Sequence, residues 1–245
     1  MCGDHRAGAV QVYTTLIKAH AARGEAAEAK GVIVRMRADG IEPTQTAFTT
    51  LMAMHARAGE RVAMLSQFQA MEKAGLRPTT ASWNVVLDYC ARKRQPAQAE
   101  GVLRRMIAVG TPPDAVSYGS LIKAHVSAGN LDEARRALDE AAAVGIAPSI
   151  AMYNTLLGGY ADHKRTGAAF ATVKAMSDRD GAAPDQLSYS LLLRACVRAN
   201  APDRAAAAVR MMRRAGFAPN VRTYTMLLSS YARVSTAHAT LIYIA

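Results

Sequence analysis

Apolar residues return along this chain at helical spacing. Phe48, Leu51, Met52 and His55 fall at i, i+3, i+4 and i+7, and Val62, Leu65, Phe68 and Met71 keep the same rhythm in the next stretch. Each stretch predicts an amphipathic helix with one apolar stripe, the first over 45–58 and the second over 61–73, with Gly59 between them. Gly24, Gly59 and Gly129 stand at matching places where a left-handed residue ends a first helix, while Gly40, Gly75 and Gly110 end second helices before a proline forbids continuation. The prolines Pro43, Pro78, Pro113, Pro148, Pro184 and Pro219 recur at intervals of 35, 35, 35, 36 and 35 residues. A fixed period near 35 means stacked supersecondary units, here helical hairpins. One hairpin cannot bury its own stripe, but a stack shares a continuous core, so the pattern predicts an all-α solenoid. Ala29, Ala99, Ala134, Ala169 and Ala205 recur at one position of the second helix, with Met64 the exception, which suits a close helix crossing.

Composition narrows the choice. An aromatic content of 6% is thin for one thick core and fits an array. No run approaches the roughly 18 consecutive apolar residues of a membrane span, and the start lacks a signal peptide's apolar segment, so a soluble chain without a membrane partner is expected. Cys2, Cys90 and Cys196 form no C-x-x-C pair and no even set, which argues for a reducing compartment; Cys90 and Cys196 share one repeat position, as packing residues would. The net charge is +11. In the first helices the only acids are Asp88 and Asp162, against Lys18, Arg23, Arg57, Arg92, Lys93, Lys123, Arg194, Arg198, Arg222 and Arg233, whereas second helices mix signs. First helices side by side would therefore present a basic strip that attracts a phosphate backbone, the plainer alternative being the solvated surface of an alanine- and arginine-rich protein.

Within each period a longer string returns. Val116-Ser-Tyr-Gly-Ser-Leu-Ile-Lys-Ala-His is followed by Ala128-Gly-Asn-Leu-Asp-Glu-Ala-Arg and Gly145-Ile-Ala-Pro, and Val12-Tyr-Thr-Thr-Leu-Ile-Lys-Ala-His, Met152-Tyr-Asn-Thr-Leu-Leu-Gly-Gly-Tyr, Leu187-Ser-Tyr-Ser-Leu-Leu-Leu and Val221-Arg-Thr-Tyr-Thr-Met-Leu-Leu repeat its opening. An aromatic residue holds one place throughout: Tyr13, Phe48, Trp83, Tyr118, Tyr153, Tyr189 and Tyr224. These strings resemble the pentatricopeptide repeat, in the class built only of 35-residue units. The resemblance places repeats at 10–44, 45–79, 80–114, 115–149, 150–185 and 186–220, after a flank at 1–9 and before a partial seventh repeat and irregular end at 221–245. It implies a right-handed superhelical α-solenoid of stacked helix-turn-helix repeats that binds single-stranded RNA, in mitochondrion or plastid, for RNA processing, stabilisation, splicing or translation.

The family's mode implies one base read per repeat by the fifth and the last residue, with the second residue packing on the base. The pairs here are Thr14 with Thr44, Thr49 with Thr79, Asn84 with Asp114, Gly119 with Ser149, Asn154 with Asp185, and Ser190 with Asn220, and Thr225 opens a seventh. By resemblance Asn/Asp favours uridine and Ser/Asn adenosine, so repeats one to six imply 5′-NNUNUA-3′. Gly119 has no side chain with which to read, the Thr/Thr pairs carry no assigned base, and an extra residue within Ser177-Asp-Arg-Asp sits close enough to displace Asp185 from the geometry Asn154 needs. At the second position Val116 and Leu187 match the family's base-sandwiching aliphatics, and Arg57, Arg92, Arg198 and Arg233 share a position resembling its phosphate-facing site.

Catalytic motifs are not expected. Ser120-Leu-Ile-Lys123 fits S-x-x-K, but Thr15-Leu-Ile-Lys18 is the same repeat segment and no S-D-N or K-T-G follows. His20, His55 and His125 occupy one equivalent position per repeat and lie too far apart for one ion, so they read as packing residues. No P-loop or deaminase signature occurs, and neither metal, cofactor nor small-molecule substrate is expected. Two alternatives stay open: a tetratricopeptide-like protein-binding scaffold, and the RNA-binding arm of a larger RNA-processing enzyme. The apolar ending Leu-Ile-Tyr-Ile-Ala, where a polar cap is usual, gives the expectation that the chain is a fragment.

Overall fold

In a computed structural model of the chain, the described residues are 2–178 and 181–244, with side chains described for 8–178 and 181–232. They form α1 (Cys2–Arg23), α2 (Ala26–Ala38), α3 (Gln45–Ala58), α4 (Arg61–Lys73), α5 (Thr80–Arg92), α6 (Pro96–Ala108), α7 (Ala115–Ala128), α8 (Leu131–Ala143), α9 (Ile150–Asp162), α10 (Thr166–Ser177), α11 (Gln186–Arg198), α12 (Pro202–Arg214) and α13 (Val221–Ile244). The fold is an all-α helical-repeat solenoid, odd-numbered helices opening each repeat and even-numbered ones closing it. An irregular end was expected from about residue 234, yet α13 runs on to Ile244. From Val221 to Ala245 there is neither glycine nor proline, so nothing in the chain stops the helix.

First helices stop by one device. Gly59 takes φ 79°, its N–H bonds the Ala56 carbonyl at 3.2 Å, and the next N–H, of Glu60, reaches back to the His55 carbonyl at 2.9 Å. Gly24 and Gly129 share the left-handed conformation, but in repeats three, five and six the same place holds Arg94 (φ 56°), Lys164 (φ 59°) and Asn200 (φ 51°). The turn is imposed by the stacking of the helices rather than by glycine alone, since a side chain there is disfavoured. Second helices end at Gly40, Gly75, Gly110, Gly145, Gly181 and Gly216, all at positive φ.

The chain divides into two compact units, residues 1–121 and 122–245. In the first, α1, α3 and α5 pack side by side, α2 covers α1 and α3, and α4 and α6 lie on α3 and α5. Ile17, Ala21, Ala29, Val32, Leu51 and Met54 close one core cluster, and Phe48, Met52, Met64, Phe68, Met71, Trp83 and Met106 the next. In the second, α9, α11 and α13 adjoin, with α10 and α12 filling between them around Leu193, Cys196, Ala205 and Val209. The alanines at 29, 99, 134, 169 and 205 are each 0% exposed, as close crossings require. The stripe of α4 is phased differently from expectation. Val62 is 82% exposed, and the buried set is Met64, Phe68 and Met71 at i, i+4 and i+7. Val62 lies two residues, about 200° of helical rotation, from Met64, and so points away from the core.

Candidate nucleic-acid interface

Where one repeat ends, its last residue becomes the cap of the next first helix. The Thr44 hydroxyl accepts from the Ala47 N–H at 3.3 Å, the Asp114 carboxylate from Ser117 N–H at 2.8 Å, Ser149 from Met152 N–H at 3.3 Å, Asp185 from Ser188 N–H at 2.8 Å and Asn220 from Thr223 N–H at 3.0 Å. Such capping satisfies one of the helix's orphan donors and pins the side chain at the helix mouth. These five side chains are thus fixed at the N-terminal edges of first helices, whereas Thr79, at the same place, makes no such cap bond.

Two of the sequence-predicted pairs meet directly. The Asn84 amide Nδ2 donates to Asp114 Oδ1 at 3.1 Å, and Asn154 Nδ2 donates to Asp185 Oδ1 at 3.2 Å. The extra residue in the fifth repeat does not displace Asp185. Asp178 caps α10, Gly181 resumes the left-handed turn at φ 80°, and the register is restored before Pro184, though residues 179 and 180 of the insertion lie outside the described residues. Burial opposes ionisation of both carboxylates. Donation from the Ser117 N–H, the Asn84 amide and the Ser117 hydroxyl outweighs it at Asp114, and from Ser188 and Asn154 at Asp185, so both titrate below the usual carboxylate value.

The hydroxyl pairs are arranged differently. Thr49 and Thr79 are bridged by the Ser82 hydroxyl, at 2.8 and 3.3 Å. Thr14 is buried, and its hydroxyl donates to the Val10 carbonyl at 2.8 Å; Thr49, Ser190 and Thr225 likewise donate to Gln45, Gln186 and Val221 carbonyls, at 2.8, 2.8 and 2.9 Å. Ser190 and Asn220 line one groove. Thr225 is exposed.

Open grooves lie between adjacent first helices. One of about 720 Å³ between α3 and α5 gathers Thr49, Thr79 and Asn84 with Arg57 and Arg92. Another of about 660 Å³ between α11 and α13 gathers Asp185, Leu187, Ser190 and Asn220 with Arg194 and Arg222. Val116 and Leu187 leave 60% and 53% of their surface exposed. The basic groups are partly braced: Arg57 donates to the Ala21 carbonyl at 3.1 Å, Arg92 pairs with Asp88 at 2.9 Å, and Arg198 and Arg194 pair with Asp162 at 3.2 and 3.5 Å. All four guanidinium groups keep solvent access. The side chain of Arg233 lies outside the described residues.

Among the described residues the histidines form no ligand set. His20 and His55 each place Nδ1 2.6 Å from the carboxylate of Glu25 and Glu60, tying the end of a first helix to the start of the second. Among the described residues no group of three His, Cys, Asp or Glu could hold a metal ion, and no helix is long and apolar enough to cross a membrane.

Sequence reasoning missed the third residue of the repeat. Ser82, Ser117 and Ser188 are each 0% exposed and touch both members of the pair belonging to the preceding repeat. Their signal was present, since a capping residue followed three positions later by a hydroxyl marks a reciprocal cap.

Models of the PPR repeat family match residues 78–127, 148–198 and 184–233, a pentatricopeptide repeat domain model matches 9–56 and 45–93, and a single PPR repeat matches 116–146. The chain belongs to the pentatricopeptide repeat family. Among solved structures of this family, the pentatricopeptide repeat protein PPR10 from maize is similar over 90% of the chain, at 23% identity and a TM-score of 0.74. PPR10 in complex with an 18-nt psaJ RNA element matches at 26% identity and 0.61. The PPR domain of Arabidopsis thaliana protein-only RNase P 1, in complex with tRNA, matches over 74% of the chain at 16% identity and 0.60. The chain spans 30% of the length of the maize protein and 95% of the RNase P domain. Comparison with curated proteins returned no significant match.

Proposed function

We propose that this chain binds single-stranded RNA along its first helices, each repeat addressing one base through its fifth and last residues, with a target of the form 5′-NNUNUA-3′. The observation that carries this reading is the meeting of Asn84 with Asp114 and of Asn154 with Asp185 at 3.1 and 3.2 Å, two repeats apart in sequence but alike in geometry. Each pair offers an amide and a carboxylate in one orientation, at a groove edge with arginines nearby. Ser190 gives its hydroxyl hydrogen to its own helix, so it offers lone pairs to a base, which suits the amino group of adenine. Arg57, Arg92 and Arg198 hold positive charge where a sugar-phosphate chain would run. Similarity to PPR10 in complex with RNA supports the same class of ligand. Membership of a family whose proteins are mostly organellar supports mitochondrion or plastid as its compartment. Similarity to the PPR domain of an RNase P favours a second form of the reading, in which this chain is the RNA-binding arm of a larger processing enzyme.

Fluorescence anisotropy with 5′-labelled RNA tests this. A pool containing NNUNUA should bind at least about tenfold more tightly than one with C at the three assigned positions, since a good base contact discriminates by about 1–3 kcal/mol. Equal, steeply salt-dependent binding would leave only a basic surface, and no binding would favour the protein-scaffold alternative.

A further inference from the structure

An asparagine side chain reads a pyrimidine unambiguously only if its amide cannot flip. Uracil presents O4 as acceptor and N3–H as donor; cytosine presents the amino group as donor and N3 as acceptor, the reverse order. A freely rotating amide, with a donor at one end and an acceptor at the other, matches either base. Base choice by Asn84 and Asn154 therefore needs something that holds each amide one way round.

Both asparagines are held at both ends. Asn84 Nδ2 faces the Asp114 carboxylate, at 3.1 and 3.4 Å from its two oxygens, while Oδ1 lies 2.6 Å from the Ser117 hydroxyl, whose one hydrogen is shared between this nearer acceptor and Asp114 Oδ1 at 2.9 Å. The same hydroxyl accepts from the Asp114 N–H at 3.2 Å, which orients it. In the fifth repeat the Ser188 hydrogen is likewise shared between Asn154 Oδ1 at 2.7 Å and Asp185 Oδ1 at 2.8 Å, and the hydroxyl accepts from the Asp185 N–H at 3.2 Å. A flip would turn Oδ1 towards the carboxylate and lose both contacts. One N–H of Nδ2 and one lone pair of Oδ1 remain for a base, in fixed order.

We infer that a third residue bearing a hydroxyl is a positioning residue for base discrimination by the repeat before it, with the buried Ser117 and Ser188 hydroxyls locking the reading amides of Asn84 and Asn154. The inference rests on the proposed RNA reading. Helix capping alone does not account for the contact, because the reciprocal cap uses the Asp114 carboxylate, the Ser117 N–H 2.8 Å from it and the hydroxyl as acceptor of the Asp114 N–H, and not a bond from the hydroxyl to a side chain 33 residues earlier. The pattern along the chain agrees. Ser82 bridges Thr49 and Thr79, and the Thr223 hydroxyl donates to Asn220 Oδ1 at 3.1 Å, whereas Ala47 and Met152, which carry no hydroxyl, follow repeats one and four, the repeats whose pairs include a buried threonine and a glycine.

The test compares Ser117→Ala, Ser117→Thr and Ser188→Ala in the full chain, with RNAs carrying U or C at the third or the fifth nucleotide of the target. Ser117→Ala should lower the U-over-C affinity ratio at the third nucleotide by at least about fivefold, the weight of one hydrogen bond, while leaving the ratio at the fifth unchanged. Ser188→Ala should do the reverse, and Ser117→Thr, which keeps the hydroxyl, should restore the ratio. Ratios unchanged by either alanine overturn the inference while leaving the RNA reading intact. Equal loss at both nucleotides in either variant also overturns it, because a general loosening of the stack would act on both. Absence of any U preference in the unaltered chain overturns the RNA reading, and the inference with it.

Discussion

At the scale of single residues, the carboxylates of Asp114 and Asp185 report whether the bonds that join them to Asn84 and Asn154 exist in solution. Their folded pKa lies below the ordinary 3.8, so their stabilising contribution is present above that value and is lost as pH falls through the lower folded value. Carbon-detected NMR titration of aspartate side chains should find both below 3.8, and Ser117→Ala should move Asp114 upwards without moving Asp185. Burial has the opposite effect on thiols. It raises Cys90 and pushes Cys196 to about 11, so at pH 8 only about one Cys196 thiol in a thousand is ionised. Alkylation followed by peptide mapping should leave both unlabelled in the folded chain and label them on addition of denaturant; rapid labelling of the native protein would contradict the packing role that their shared repeat position predicts. The Asn84–Asp114 and Asn154–Asp185 pairs themselves were legible as sequence positions, because a 35-residue period assigns every residue an equivalent. Their hydrogen bonds were not, because Asn84, Asp114 and Ser117 are joined only once two repeats have stacked.

At the scale of the helix and its turns, the αL position after each first helix separates what sequence carries from what packing imposes. Gly24, Gly59 and Gly129 announced the turn, and Arg94, Lys164 and Asn200 make it without announcing it. Arg94→Gly and Lys164→Gly should each raise stability by roughly 1 kcal/mol, read as a higher melting temperature by circular dichroism, since they relieve a conformation that costs a side chain about that much. Destabilisation would mean that these side chains matter more than their backbone strain. Adjacent glycines in α9 give a matched pair. A methyl group on Gly159 would come within 2.8 Å of both Leu131 and Val126, whereas one on Gly158 meets only Arg194, at 3.8 Å. Gly159→Ala should destabilise by about 1–3 kcal/mol through overpacking, and Gly158→Ala should be neutral or stabilising by up to about 1 kcal/mol through helix propensity. The helical rhythm gave the helices their bounds but not always their phase. Val62 fits a 3.6-residue spacing with Leu65 as well as Met64 does with Phe68, and only the neighbouring helices decide which stripe is covered.

At the scale of the whole molecule, the period was the most legible feature, because each unit repeats the same solution to the same burial problem. Less legible was the electrostatic surface. Arg92 and Arg198 lean on Asp88 and Asp162, so their charge is partly compensated until a stronger anion competes. Replacing Arg57, Arg92 and Arg198 together by alanine should reduce the slope of log affinity against log salt by about 2, at roughly 0.7 per phosphate contact on a single strand, with little change in base preference. An unaltered slope would place the phosphate path elsewhere. The central claim is that base choice is modular and in register with the repeats. Its most direct test is partition of a randomised RNA library on the purified chain, followed by sequencing of the bound fraction. The account predicts uridine enriched at two positions separated by one nucleotide, with adenosine directly after the second, and loss of only the first enrichment in Asn84→Ser. Enrichment without fixed spacing, or a preference that Asn84→Ser leaves untouched, would contradict it.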